Sequence, residues 1–406
     1  MAQLPEGDPA PADGALSPES VAHARERSLS LYVHIPFCAV RCGYCDFNTY
    51  TATELGHGAS QDTYALAAAR ELDFSADVLR NAGAAPRSLS TVFFGGGTPT
   101  LLPADDLVMI LDRARSLYGI APDAEVTTEA NPDSVTPESL AQLKAGGFTR
   151  VSFGMQSAVP HVLATLDRTH SPERVPQAVE WAREAGLHVS VDLIYGTPGE
   201  SIDDWRTSLD AALAMEPDHI SAYSLIVEPG TKMGAQVRRG ELPMPDEDDL
   251  ADKYAAADAA FSAAGLHWYE VSNWARSADH ECRHNNAYWT GQDWWGFGAG
   301  AHSHIGGVRF WNAKHPRAWA DRLGQGQSPA IGREVLDADT RRLEDLMLRA
   351  RIRQGMRLSE LPEGTELLLE QFAKQGLVEP DEEWLALTLR GRLMADFIVR
   401  ELSEYL

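Results

Sequence analysis

The sequence is short of cysteine, short of positive charge and free of long apolar runs. Four cysteines in 406 residues are too few for the disulfide framework of a small secreted domain. With no export signal, those thiols are expected to stay reduced in the cytoplasm. Lys and Arg total 35 against 59 Asp and Glu, a formal net charge of −24. Broad nucleic-acid binding, which needs cations to replace the counterions of a phosphate backbone, is thereby excluded. No apolar run reaches the roughly 20 residues of a membrane span. The opening stretch MAQLPEGDPAPADGALSPES lacks the basic start and apolar core of a signal peptide. Its Pro, Ala, Gly and acid content predicts a disordered lead-in over residues 1–28.

What is present is an alternation. The runs SLYVHI, STVFFG, EVTTEA, TRVSFGM, HVSVDLIY and HISAYSLIV read as strands. Amphipathic stretches lie between them, several opening on Asp, Ser, Thr or Pro and closing at Gly, as helices do. Six strands alternating with helices predict a parallel sheet with right-handed crossovers. Six repeats fall short of the eight of a closed barrel, so the expected fold is α/β, a partly open (β/α)6 barrel over residues 29–240. A connecting region rich in aromatics follows over 241–325. Residues 326–406 read as a small winged-helix-like α+β domain, with a hairpin in GLVEPDEEWLALT. Its acid excess argues against a DNA role.

Three of the four cysteines fall in LYVHIPFCAVRCGYCDF, at Cys38, Cys42 and Cys45. Spacing C-x3-C-x2-C brings three thiolates to one compact centre. Three thiolates can hold three irons of a 4Fe–4S cube and leave the fourth iron open to a ligand offering an amine and a carboxylate. The methionine end of S-adenosylmethionine is such a ligand. A zinc site of three Cys and one His, with His34 or a remote residue as the fourth ligand, is the alternative.

One βα unit later, TVFFGGGTPT places Gly95, Gly96 and Gly97, then Thr98, at the end of a strand. Glycines there let backbone approach a ligand, or simply make a tight turn; the motif is not a dinucleotide fingerprint. Polar residues also end the later strands. Glu129 follows EVTT, Gln156 follows RVSFGM, and Asp192 interrupts VSVDLIYG, with Arg168 in the loop after Gln156. Singly, each reads as a solvated or capping residue. Together they could bind a ribose, an amino group and a carboxylate.

These motifs resemble the radical S-adenosylmethionine superfamily. YVHIPFC, GGGTPT, VSFGMQS and DLIYGTPGE narrow the likeness to the oxygen-independent coproporphyrinogen III oxidases and their relatives, from about Leu31 to near the C-terminus. The resemblance implies that Cys38, Cys42 and Cys45 hold a 4Fe–4S cluster. It also implies that Tyr32, Tyr44, Gly96, Gly97, Thr98, Glu129, Gln156, Arg168, Asp192 and Ile226 contact S-adenosylmethionine. Two features depart from the oxidases. Cys45 is followed by Asp46 and Phe47, where those enzymes carry a further cysteine, and CRHNNAYW at 282–289 resembles the H-N-x-x-Y-W element of the HemW-type heme-chaperone branch.

The residues around that element permit heme without deciding it. His284 can offer an axial nitrogen. Trp289, Trp294, Trp295 and Phe297 offer flat apolar surface, and Arg283 and Arg309 could pair with propionates. Cys282, His302 and His304 are further candidate ligands. A loop histidine beside a core aromatic cluster is the plainer reading of the residues alone. With the family element, the expected function is a cytoplasmic heme chaperone that passes heme to an acceptor protein, plausibly respiratory and membrane-associated, with a homodimer compatible with it. The second expectation is an enzyme, an oxygen-independent coproporphyrinogen III dehydrogenase. A nucleic-acid-binding role for the last domain fails on charge.

Overall fold

The computed structural model describes residues 7–51, 60–381 and 383–406. Its strands are β1 (Asp8–Pro9), β2 (Leu29–Ile35), β3 (Leu89–Gly96), β4 (Ile120–Ala130), β5 (Arg150–Gln156), β6 (His188–Tyr195), β7 (His219–Ser224), β8 (His267–Glu270), β9 (Asn273–Ala275), β10 (Asp293–Phe297), β11 (His302–Ile305), β12 (Val308–Asn312) and β13 (Ala330–Val335). They form one sheet in the order β1-β13-β12-β11-β10-β2-β3-β4-β5-β6-β7-β9-β8. Strands β2 to β7 are the six parallel strands expected. Their crossovers are the helices Gln61–Asn81, Ala104–Tyr118, Pro137–Gly146, Arg174–Glu184 and Ile202–Ala214. Among the described residues, no helix is long and apolar enough to cross a membrane.

Local chemistry sets these boundaries. Thr136 and Ser139 close a capping box around a helix with Pro137 in its first turn, and Gly147 ends that helix at a φ of 103°. Ser201 and Asp204 form a second box. These pairings satisfy backbone N–H groups that a helix start leaves unpartnered. The parallel strands are buried on both faces, as helix-covered parallel sheets are. The exceptions are informative: Tyr32 in β2 and Gly154 in β5 are the only half-buried residues of their strands. Asp192 is the only one in β6 after its exposed first residue. All three line the same cavity as Tyr223 of β7. Laid flat, β2 and β7 would stand about 24 Å apart at ordinary strand spacing, so the sheet curls into a partial barrel.

Three expectations need correcting. A seventh parallel strand, β10, joins the outer side of β2; its sequence DWWGF had been read as connecting aromatic surface, and Trp295 and Phe297 are instead buried core. The lead-in is not disordered over residues 7–28. Asp8 and Pro9 pair with β13, and Val21 and Ala24 are buried, because the free edge of β13 offers unpaired backbone groups to any adjacent chain. The boundary at 326 is also early. β13 belongs to the large sheet, and the separate core begins at Leu346 and includes Phe372, Ile398 and Leu402. That smaller α+β unit holds the helices Ala338–Arg349, Glu366–Lys374 and Ala395–Ser403 and a pair of two-residue strands, Met356–Arg357 and Trp384–Leu385. Within the expected hairpin segment, one antiparallel bridge joins Val378 and Leu387.

The seam between β2 and β10 is pinned by a buried charge. Asp293 accepts from Arg27 Nε at 2.9 Å, from Arg87 Nη1 at 2.7 Å and from the Gly306 N–H at 2.9 Å. Removing one partner of a buried pair strands the other charge. Asp293→Ala should lower unfolding free energy by about 3–5 kcal/mol, measured as a fall in denaturant midpoint. A loss below about 1 kcal/mol, the worth of an exposed pair, would show that the seam is held by packing alone.

Candidate functional site

The three clustered cysteines sit on the loop that leaves β2. Its ends are stapled: Tyr50 N–H donates to the Pro36 carbonyl at 2.7 Å, and Cys38 N–H to the Tyr50 carbonyl at 3.1 Å. Cys45 N–H turns back to the Cys42 carbonyl at 3.2 Å. Gly43 N–H reaches the Leu166 carbonyl at 3.2 Å, and the Gly43 carbonyl accepts from Met233 N–H at 2.8 Å. The loop is thus fastened to β2, to the segment after β5 and to the segment after β7. All three thiols are free and half-buried. Burial and the neighbouring Cys45 push the Cys38 thiol up to about 11, and burial raises Cys45. Both stay protonated at neutral pH unless a cation takes the thiolate.

The spacing of the sulfurs separates the two metal readings. Thiolates on one tetrahedral zinc lie about 3.8 Å apart. The three sulfurs do not all fall within 4.8 Å of one another, and among the described residues no group of three that includes a cysteine does. His34 lies outside the cavity lining; its Nε2 contacts the Asn48 carbonyl at 2.9 Å and its Nδ1 the Tyr32 hydroxyl at 3.0 Å. Three thiols on one loop facing one cavity fit a multi-iron centre.

The glycines seat the cysteine loop as well as lining the cavity. Gly96 has a φ of 111°, and a Cβ there would lie 2.5 Å from the His34 ring. A Cβ on Gly97 would strike the Phe37 carbonyl. Gly97 N–H donates to the Ile35 carbonyl at 2.8 Å and Thr98 N–H to the Phe37 carbonyl at 2.7 Å. The glycines therefore let β3 pack against the root of the cysteine loop. Gly96, Gly97 and Thr98 still face the cavity.

That cavity, about 730 Å³, is lined by every residue the sequence assigned to the cofactors: Tyr32, Cys38, Cys42, Tyr44, Cys45, Gly96, Gly97, Thr98, Glu129, Gln156, Arg168, Asp192, Ile226 and His284. Ile226 sits at the rim, 67% exposed. Arg168 donates from Nη1 to Cys42 Sγ at 3.5 Å and from Nη2 to the Gly154 carbonyl at 2.9 Å, while its buried Nε has no partner. The Thr127 hydroxyl is likewise buried and unpartnered. Glu129 accepts the Gly96 N–H at 3.0 Å; burial, with the Asp192 charge adding, pushes its carboxyl up to about 8. Burial also raises Asp192, whose oxygens accept from the Ser152 hydroxyl at 3.0 and 2.9 Å. Gln156 has a φ of 64° beside a register shift against β6. This bulge turns its side chain towards the cavity. Two acids, an unsatisfied guanidinium nitrogen and an unsatisfied hydroxyl beside a thiol triplet suit a small ligand carrying amine, carboxylate and hydroxyl groups.

His284 is not on a loop. It lies in the helix Arg283–Trp289 and is buried. Its Nδ1 meets the Thr91 hydroxyl at 2.7 Å and its Nε2 the Tyr288 hydroxyl at 2.8 Å. The ring stacks on Phe93 with centroids 5.1 Å apart, and burial lowers its pKa to about 3. It is therefore neutral, with both nitrogens engaged. Arg283 pairs with Asp123, and Arg309 with Glu334 and Glu344, so neither is the free cation imagined for a propionate. Cys282 Sγ faces Glu125 at 3.6 Å. His302 packs against Trp311 and His304 against Trp294, outside the cavity lining.

The sequence reading missed a second layer of cavity residues, Ser152, Ser190, Ser221 and Tyr223. Their signal was present: Ser152 pairs in register with Ser190, Gly154 with Asp192, and Asp192 with Ser221. Small or polar residues at alternate positions of otherwise apolar strands mark one face turned to a ligand.

Comparison with known proteins agrees with this geometry. The sequence model of the radical SAM superfamily matches residues 32–212. The heme chaperone HemW of Mycobacterium tuberculosis is 51% identical over 92% of this chain and 94% of its own. HemW of Bacillus subtilis is 33% identical over 90% and 97%. The chain belongs to the HemW family. Within the radical SAM superfamily, the HemW fold seen here is also similar to Escherichia coli coproporphyrinogen III oxidase (HemN), at a TM-score of 0.80 and 26% identity over 96% of this chain and 93% of that one.

Gly96→Ala tests how the cysteine loop is seated. A side chain at this positive φ, against His34, should cost about 1–3 kcal/mol and loosen the loop. We expect a lower melting temperature together with faster loss of reconstituted iron. A normal melting temperature and iron content would mean that the loop does not depend on this contact.

Proposed function

We propose that the protein is a heme chaperone: a cytoplasmic radical SAM scaffold that binds a 4Fe–4S cluster, S-adenosylmethionine and heme, and hands heme to an acceptor protein. The observation that carries this reading is that the thiol loop and the His284 helix line one cavity in a chain of the HemW family. Cys38, Cys42 and Cys45 would hold the cluster. When bound, such a cluster supplies an open iron for an amine and a carboxylate, and a store for one electron.

The chain's own residues do the rest. Arg168 offsets the thiolate charge at Cys42 and fixes the Gly154 carbonyl. Glu129 and Asp192 offer carboxylates to an ammonium or to ribose hydroxyls. Thr98, Gly96 and Gly97 form the wall nearest the loop, Gln156 adds an amide, and Tyr32, Tyr44 and Ile226 supply apolar faces. His284 is held neutral, the form that ligates iron, and coordination through Nε2 would replace its bond to Tyr288. We further infer an acceptor that is respiratory and membrane-associated, and a chaperone able to act as a dimer.

The fold similarity to coproporphyrinogen III oxidase supports a second reading, the oxygen-independent coproporphyrinogen III dehydrogenase. The absence of a cysteine after Cys45 favours the chaperone. Anaerobic assays with coproporphyrinogen distinguish them: protoporphyrinogen at many equivalents per protein would favour the enzyme.

Heme titration of the reconstituted protein should give a saturable Soret band, and His284→Ala should weaken heme affinity at least tenfold. Unchanged affinity would remove His284 as a ligand and leave the chaperone reading to rest on the wild-type titration. S-adenosylmethionine affinity should depend on pH. Below about pH 8 Glu129 is protonated, and accepting from the N–H groups of the ligand's amine requires it to lose that proton. Affinity should then climb by up to about tenfold per pH unit towards pH 8 and level off above it. Glu129→Gln should abolish the slope; a slope that survives the substitution assigns it to another group.

A further inference from the structure

Two histidines and a carboxylate that the heme reading does not use meet at the opposite end of the parallel strands. His188 opens β6, Asp218 immediately precedes β7, and His280 lies between β9 and the His284 helix. Their ligand atoms all lie within 4.8 Å of one another, and no other group of His, Cys, Asp or Glu among the described residues does so. His188 Nδ1 is 3.8 Å from Asp218 Oδ2, and His280 Nε2 is 3.6 Å from Asp218 Oδ1. The two imidazole rings stand 4.9 Å apart at 66°.

These distances are too long for hydrogen bonds, which close to about 2.7–3.2 Å. They lie near the separation of donors that share one ion. Nitrogen and oxygen ligands about 2.0–2.1 Å from a tetrahedral centre stand about 3.3 Å apart. The surroundings orient the donors without consuming them. Asp218 is fixed by its backbone pairing with Val189 at 3.0 Å, and the Val189 N–H donates to Oδ2 at 2.8 Å. His280 bonds the Ser277 hydroxyl through Nδ1 at 2.9 Å, which leaves Nε2 facing Asp218. An outer hydrogen bond on the far ring nitrogen is how metal-binding histidines are held. All three side chains are solvent-accessible, between 23 and 50% exposed, so an ion can enter and water can complete its shell.

We propose that His188, Asp218 and His280 form a binding site for one divalent first-row transition ion. Two imidazoles and one carboxylate suit zinc, cobalt or nickel rather than the hard cations magnesium and calcium. The ion would tie the start of β6 and the approach to β7 to the segment that runs into the His284 helix. Arg150 already grips that segment by donating to the carbonyls of His280 and Glu281. The site shares no ligand residue with the proposed cluster or heme sites.

Cobalt is the probe. Anaerobic protein with its cluster reconstituted, so that the three clustered thiols are occupied, is titrated with Co2+. Protein carrying Cys38→Ser, Cys42→Ser and Cys45→Ser together is titrated in parallel, so that failure to assemble the cluster does not affect the outcome. We expect one equivalent of Co2+ with ligand-field bands of nitrogen and oxygen ligation, displaced by Zn2+. His188→Gln, at a half-exposed position, should leave the melting temperature unchanged and weaken Co2+ binding at least tenfold; His280→Gln should do the same. No saturable binding, binding unchanged in His188→Gln, or strong thiolate-to-cobalt charge transfer in the triple-serine protein would each overturn the proposal.

Discussion

Uncompensated negative charge in a confined space is the constraint on which the rest of this structure depends. Three thiols, Glu129 and Asp192 converge on one cavity. The cations that face it are Arg168, which contacts Cys42, and Arg150, which is already paired with Glu125 at 3.6 Å. Desolvation answers by pushing up the Cys38 and Cys45 thiols and the Glu129 and Asp192 carboxyls. The cavity is prepared for guests that bring positive charge, such as iron and a sulfonium. Binding such guests and releasing protons are one process, because each cation makes a carboxylate or thiolate tolerable where solvent does not.

The fold serves this by convergence. Successive parallel strands deliver their C-terminal ends to the same mouth, and curvature brings β2 and β7 to opposite walls of one space. The cysteine loop is no independent motif. It is anchored to β2, to the segments after β5 and β7, and to β3, whose glycines make room for it. An otherwise ordinary α/β barrel therefore needs few special residues to build the site: one loop, one glycine run, one bulge at Gln156 and a row of small polar side chains inside.

Much of this was legible in the sequence, because parallel strands buried on both faces are written as apolar runs, and each interruption marks the inner wall. Glu129, Gln156 and Asp192 line the cavity at such interruptions, whereas Tyr32 is named by the family resemblance alone. The failures have physical causes too. Residues 7–28 look too polar and too rich in Pro to fold alone, but Asp8 and Pro9 pair with the existing edge of β13 and Val21 and Ala24 are buried. DWWGF resembles exposed aromatic surface, yet it pairs with β2 as a buried strand, a partnership between residues distant in sequence that periodicity cannot report. Arg283 and Arg309 looked free because a sequence lists charges without distances. In a chain with so large an excess of acid, each found carboxylates nearby. His284 was read as a loop ligand, whereas the short helix around it turns the ring inward onto Phe93.

The path of residues 276–292 carries a further consequence. The chain leaves the sheet at β9, beside β7, and rejoins it at β10, beside β2, so this single stretch crosses the gap that an eight-stranded barrel would close with one more parallel strand. On the way it is moored to Thr91 of β3, Glu125 of β4 and Arg150 of β5. The circumference of the incomplete barrel is consequently set by the length of one covalent tie, as the span of an arch is set by its tie-rod. A residue inserted or removed there would alter the width of the chamber at its base while leaving every parallel strand intact.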